Sequence, residues 1–157
     1  MGVTLQHWLK QSRFESVQQE ALLNLMVAAH FVRKQVAVVC AEFELTAAQY
    51  NVLRILKGAH PHGYPRCEII SRMIEPAPDV TRLIDRLAKM GLVQRMPSPD
   101  DRRLSIAVIT EKGSALLEKM RPRIRHIENT MLSSRLSEQQ CQLLSDLCEQ
   151  VYASQTD

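Results

Sequence analysis

From Phe14 to Phe43 the apolar residues Leu22, Leu25, Met26, Ala29, Val32, Val36 and Val39 recur at steps of three and four, with no glycine or proline between them. That period predicts one long amphipathic helix. A shorter helix follows, opened by Thr46 and Gln49 in the form of a capping box, carrying Val52, Leu53 and Leu56, and stopped at Gly58. Gly58 to Pro65 reads as a loop. Arg66 to Ile74 is the next predicted helix, with Ile69, Ile70, Met73 and Ile74 on its buried side. Glu75-Pro76-Ala77 ends it, because a proline inside a helix loses a hydrogen bond and clashes with the preceding turn. Pro78 suits the first position of a further helix, where a missing N–H costs nothing, and Asp79 complements the positive end of that helix. The helix runs to Met90, and Gly91 supplies the left-handed residue that closes it.

The period then changes. Leu92 to Met96 and Arg103 to Ile109 read as two strands, joined through the turn residues Pro97-Ser98-Pro99-Asp100-Asp101. Thr110 caps a helix carrying Leu116, Leu117, Met120, Ile124 and Ile127, which Pro122 is expected to bend. Ser137 with Gln140 forms a second capping box, opening a terminal helix with Leu143, Leu144, Leu147 and Val151. Four helices, a hairpin and two helices make a mainly α chain. Two short helices joined by a turn and followed at once by a hairpin have the order of a winged helix-turn-helix with a two-stranded β-wing. The expected organisation is a single domain over 1–157. Its DNA-binding part covers about 45–110, and the dimerisation helices cover about 10–44 and 111–157.

The polar positions test that reading. In DVTRLIDRLAKMGLV, Val80, Leu83, Ile84 and Leu87 share one face, and Arg82, Asp85, Arg86 and Lys89 lie on the other. Thr81, near the helix start, is placed to meet a phosphate or a thymine methyl. Arg82 and Arg86 are long enough for bidentate contacts with guanine. The competing reading is a solvated face closed by Arg82–Asp85 or Asp85–Lys89 pairs. The hairpin favours DNA, because its tip, SPDDRR, carries Arg102 and Arg103 toward an adjacent minor groove, with Asp101 bracing Arg103.

Composition narrows the picture further. A chain of 157 residues with 45% hydrophobic and 24% charged residues is ordinary globular material, and a net charge of +3 says little alone about a nucleic-acid partner. The N-terminus lacks the pattern of a secretory signal, and no segment is expected to span a membrane, so the expected location is cytoplasmic. Cys40, Cys67, Cys141 and Cys148 form no CxxC pair and no zinc-site spacing, so neither cofactor nor metal is expected. Cys141 and Cys148 share a helical face, which suits packing; a thiol-based redox sensor is the alternative. No nucleophile–base arrangement or phosphate-cradling loop points to an enzyme. A winged-helix module that binds protein is a further alternative, disfavoured by Arg82, Arg86, Arg102 and Arg103 and by the 4% aromatic content.

The segments LTAAQYNVL, DVTRLIDRLAKMGLVQR and DDRRLSIAVITEKG, in this order and spacing, resemble the MarR (multiple antibiotic resistance regulator) family. The resemblance implies a sequence-specific transcriptional regulator, here a repressor. Such a protein works as a homodimer joined by its first and last helices, binds double-stranded DNA at a pseudo-palindromic operator, and is released by a small-molecule effector. By motif it puts Thr81, Arg82 and Arg86 at DNA and the Asp-x-Arg of the wing on Asp101 and Arg103. Ser98 stands where the family commonly has aspartate, and Pro78 where it often has a small polar residue. The hydroperoxide-sensing members keep their reactive cysteine near the beginning of the first helix, whereas Cys40 lies toward its end. An effector is expected in a mostly apolar cleft between the arms and the reading head; His30, Arg33, His60 and His62 are polar candidates, and no site is assigned.

Overall fold

In the computed structural model the described residues are 3–98 and 105–153. The elements are α1 (Val3–Leu9), α2 (Val17–Glu42), α3 (Ala47–Gly58), β1 (Tyr64–Pro65), α4 (Arg66–Ser71), α5 (Val80–Lys89), β2 (Val93–Pro97), β3 (Ser105–Ile109), α6 (Glu111–Glu128), which runs on into a π-helical turn (Asn129–Ser133), and α7 (Glu138–Tyr152). The strands form one antiparallel sheet in the order β1-β3-β2. β2 and β3 pair from Val93↔Ile109 to Pro97↔Ser105, the base of the wing.

Several expectations are corrected. The long helix starts at Val17, not Phe14, because Ser16 takes an extended conformation and its side chain accepts a hydrogen bond from the Gln19 N–H. α1 was not anticipated at all. Nor was β1, inside the expected loop, where Tyr64 pairs with Ala107 and Pro65 with Ile106. Two residues are too few to show alternation, and proline is tolerated here because β1 is an edge strand. α4 ends at Ser71, three residues short of Ile74. Its last turn tightens as the Met73 N–H bonds to the Ile70 carbonyl, and the Ile74 N–H is taken by Asn51 Oδ1 of α3 at 3.0 Å. Pro78 is not the first helical residue. Asp79 is the N-cap, its side chain accepting from the Arg82 N–H, so proline stands one place outside. The helix after Thr110 spans Glu111–Glu128 with Pro122 inside it, as the sequence reading has it.

The expectation that no segment is apolar enough to span a membrane is also corrected. α2 passes that test by length and composition, with a mean hydropathy of 1.3 over its most apolar window. Gln18, Gln19, Asn24, His30 and Gln35 supply much of its polarity without a formal charge.

The core lies where α2, α3, α4, α5 and α6 meet. Cys40, Val52, Leu53, Leu56, Ile69, Leu87 and Met120 are fully enclosed there. The far end of α2 is fastened to α6 by Arg123, whose Nε donates to Glu42 Oε2 at 2.9 Å. That hydrogen bond holds the Glu42 carboxyl below its usual range. Gly113, in the first turn of α6, packs directly on the start of β2: a Cβ there would stand 2.3 Å from the Leu92 carbonyl oxygen and 2.8 Å from an Ile109 side-chain carbon.

Two glycine substitutions should therefore have opposite signs. Gly58→Ala, with nothing within 4 Å of the added carbon, should stabilise the protein by about 0.4–1 kcal/mol by restricting the unfolded chain. Gly113→Ala should cost about 1–3 kcal/mol through the backbone clash. Urea denaturation midpoints of the two variants check both.

Candidate nucleic-acid interface

α5, the helix expected to read DNA, is held at both ends. At its N-terminus Asp79 Oδ1 accepts from the Arg82 N–H at 3.0 Å. At its C-terminus Gly91 adopts φ +73°; the Thr110 hydroxyl donates to the Gly91 carbonyl and Lys112 Nζ to the Met90 carbonyl, each at 2.8 Å. Lysine at that position also suits the negative end of the helix dipole. Thr110 was foreseen as the cap of α6, and its side chain does accept from the Gly113 N–H. Its second contact, across to the end of α5, needs tertiary structure to be seen.

Val80, Ile84 and Leu87 are buried, while Arg82, Arg86 and Lys89 are exposed, as the periodicity predicts. The pairings differ from those anticipated. Arg82 turns back onto its own N-cap, with Nε 2.9 Å from Asp79 Oδ2 and a side chain 80% exposed. A pair this open to water is weak and readily exchanged. Asp85 pairs with neither Arg82 nor Lys89; it accepts from Arg95 Nη2 of β2 at 2.7 Å. Thr81, half-buried, accepts from Arg66 Nη1 at 3.3 Å. Among the described residues, no hydrogen bond or ion pair holds Arg86 or Lys89. Arg66 and Arg95 were not picked out from the sequence, where nothing local marks them. Asp101, Arg102 and Arg103 lie outside the described residues. The described β2–β3 ladder ends at Pro97↔Ser105.

A second feature lies between α3 and α6. Tyr50, Arg54 and Lys57 of α3 face Leu117, Arg121, Ile124 and Arg125 of α6 across an open cleft of about 450 Å³, with Glu118 and Glu128 at its sides. This volume falls within the range of small-molecule sites, but the lining is mostly charged where a mostly apolar cleft is expected, because Arg54, Lys57, Glu118, Arg121, Arg125 and Glu128 all border it. Arg121 is paired with Glu118 at 2.6 Å, and the Arg54 guanidinium lies 5.9 Å from the Tyr50 ring centre. Partial burial raises the Tyr50 phenol above its usual range. None of His30, Arg33, His60 and His62 lines this cleft. Arg33 instead pairs with Glu75 in the turn before α5, at 3.2 Å, and His30 packs edge-on to Phe31. The sequence signal for the cleft was the recurrence of Tyr50, Arg54 and Lys57 at helical spacing.

Comparison with known proteins bears on this arrangement. Residues 45–105, which include α3, α4, α5 and β2, match the model of the MarR family. A crystallised MarR transcription factor from Planctomyces limnophilus is 33% identical, with 92% of this chain and 100% of that one covered at a TM-score of 0.66. The chain belongs to the MarR family. The HTH-type transcriptional repressor NicR of Pseudomonas putida is 33% identical over 91 residues, 58% of this chain and 56% of NicR. The chain therefore spans about half the length of that curated relative. Sco3205, a MarR family transcriptional regulator from Streptomyces coelicolor solved in complex with DNA, is 18% identical at a TM-score of 0.79, covering 94% of this chain and 93% of that one. At that identity the likeness is one of fold, a winged helix.

The cysteines of this MarR-family chain stand in different surroundings. Cys40 is fully enclosed, and burial pushes its thiol up to about 11, so it stays protonated at neutral pH. Cys67 is exposed, and Cys141 and Cys148 are intermediate. Among the described residues no cluster of three or more His, Cys, Asp or Glu is arranged to hold a metal. In the native protein at pH 7, iodoacetamide should modify Cys67 first and leave Cys40 unmodified until the protein unfolds; mass spectrometry of timed digests reads the order.

Proposed function

We propose that this MarR-family chain is a sequence-specific, DNA-binding transcriptional regulator that inserts α5 into the major groove. The observation that carries the reading is the exposed row Arg82, Arg86 and Lys89 on a helix anchored at both ends, with Arg86 and Lys89 unpaired among the described residues. Unpaired cations on a fixed helix can meet phosphates and base edges without first breaking a bond. Residues 45–110 would form the DNA-binding part, and Arg102 and Arg103, braced by Asp101, the tip of the wing. The complex of Sco3205 with DNA supports DNA binding, and the repressor name of NicR supports a repressor. Such a protein acts in the cytoplasm, and nothing in this reading calls for a catalytic step.

The working unit in this reading is a homodimer. α7 has no buried residue; Leu143, Leu147 and Val151 along it are 57%, 50% and 63% exposed, and Met26 of α2 is 58% exposed. An apolar surface of this extent on two helices calls for a partner surface. A second copy supplies one, and its twofold axis would set two reading helices about 34 Å apart on a pseudo-palindromic site. The same apolar face accounts for the membrane-like composition of α2 without a membrane. For an effector, the cleft between α3 and α6 is the best supported location. Tyr50, Leu117 and Ile124 offer it apolar walls, while Arg54, Lys57 and Arg125 favour an anionic small molecule.

Two measurements test this reading. Arg86→Ala should weaken binding to a duplex selected by the wild-type protein by about 1–3 kcal/mol, measured by fluorescence anisotropy across a salt series; unchanged affinity would show that α5 does not read DNA. Leu143→Glu combined with Leu147→Glu should convert a dimer to a monomer in sedimentation equilibrium while leaving the helical circular dichroism in place.

A further inference from the structure

α5 presents two polar stripes, not one. Arg82, Arg86 and Lys89 point away from the body. Thr81 and Asp85, one helical turn apart on a neighbouring stripe, are half-buried, and each is held by an arginine from another element. Arg66 begins α4 immediately after β1, Arg95 lies in the middle of β2, and the two strands flank β3 on opposite sides. The two arginines, with Ile84, Ser105, Ile106 and Ala107, line a gap of about 20 Å³ between α5 and the sheet, room for about one water. The buried Val80, Ile84 and Leu87 choose the face of α5 that packs, but apolar contact is non-directional and leaves small adjustments of its roll free. Two hydrogen bonds at positions one turn apart remove that freedom.

Asp85 has the wrong sign for a helix that approaches phosphates. A carboxylate on this helix lowers the affinity for any duplex, so its presence needs a role that outweighs the repulsion. We propose that Asp85 is a positioning residue. By holding Arg95 it locks the roll of α5 against the wing strand, so that Arg82 and Arg86 meet base edges in register, and Arg66 on Thr81 completes the lock. Its contribution is to discrimination between sequences, at the expense of general attraction. The inference rests on α5 being the DNA-reading helix.

The test compares wild type, Asp85→Asn, Asp85→Glu, Arg95→Gln and the Asp85→Asn/Arg95→Gln double variant on two duplexes of equal composition. One is selected by the wild-type protein from a randomised pool, and the other is its scrambled counterpart. Asp85→Asn should bind the scrambled duplex about twofold tighter, having lost a negative charge, and the selected duplex on the order of tenfold more weakly. Asp85→Glu should recover most of the discrimination. The double variant should discriminate no worse than Arg95→Gln alone, since the two groups act as one. If Asp85→Asn tightens both duplexes alike, or weakens both alike as partial unfolding would, the positioning role is overturned while the DNA reading stands. If wild type itself shows no preference for its selected duplex, the reading of α5 fails, and the positioning role with it.

Discussion

The close approach of Gly113 to the Leu92 carbonyl decides how α5, β2 and α6 are joined. At this junction α5 has just ended, β2 begins, and α6 starts its first turn. Only a residue without a side chain lets the α6 backbone lie against the strand, and that contact brings Thr110 and Lys112 within reach of the last carbonyls of α5. Three elements are thereby fixed at one point. The start of α6 and the end of α5 are held together through close backbone contact, and packing of this kind leaves little slack.

The other contacts divide the molecule into a rigid head and a partly covered arm. α2 reaches the head through Val39 and Cys40 near its C-terminus, where Arg123 clamps Glu42; most of its length, like most of α7, is exposed. The Arg33–Glu75 pair is a second tie between arm and head, across to the turn that precedes α5. With both side chains more than half exposed it adds little stability. In water it can open and close freely, which suits a joint better than a brace. The cleft between α3 and α6 is bordered by one helix of the head and one of the arm.

Local chemistry was legible in the sequence wherever a short segment decides its own conformation. Both capping boxes, Thr46 with Gln49 and Ser137 with Gln140, form reciprocally as read, and Gly91 is left-handed where the helix had to stop. The exposed face of α5 followed from its period. What could not be read was set by contacts between distant segments. Asn51 draws the end of α4 out of the helix, β3 recruits Tyr64 and Pro65 into the sheet, and Arg95 takes Asp85 from its expected helical partners. Thr81 lies near the start of α5 and Arg82 on its polar face, where the sequence places them. Their actual neighbours, Arg66 and the N-cap Asp79, became evident only in the structure. α1 is seven residues long, too short to establish a period of its own.

The small sheet also bears on how the protein survives at high concentration. Its two edges are the usual places for one chain to recruit another into a growing β-aggregate. One edge is β1, only two residues long and ending in Pro65, which has no N–H to offer an incoming strand. The other is β2, which carries Arg95 at its middle and terminates at Pro97. A protein that leaves so much apolar helix surface uncovered thus closes off the route to fibrils at both sides of its sheet, so that association is left to the helices.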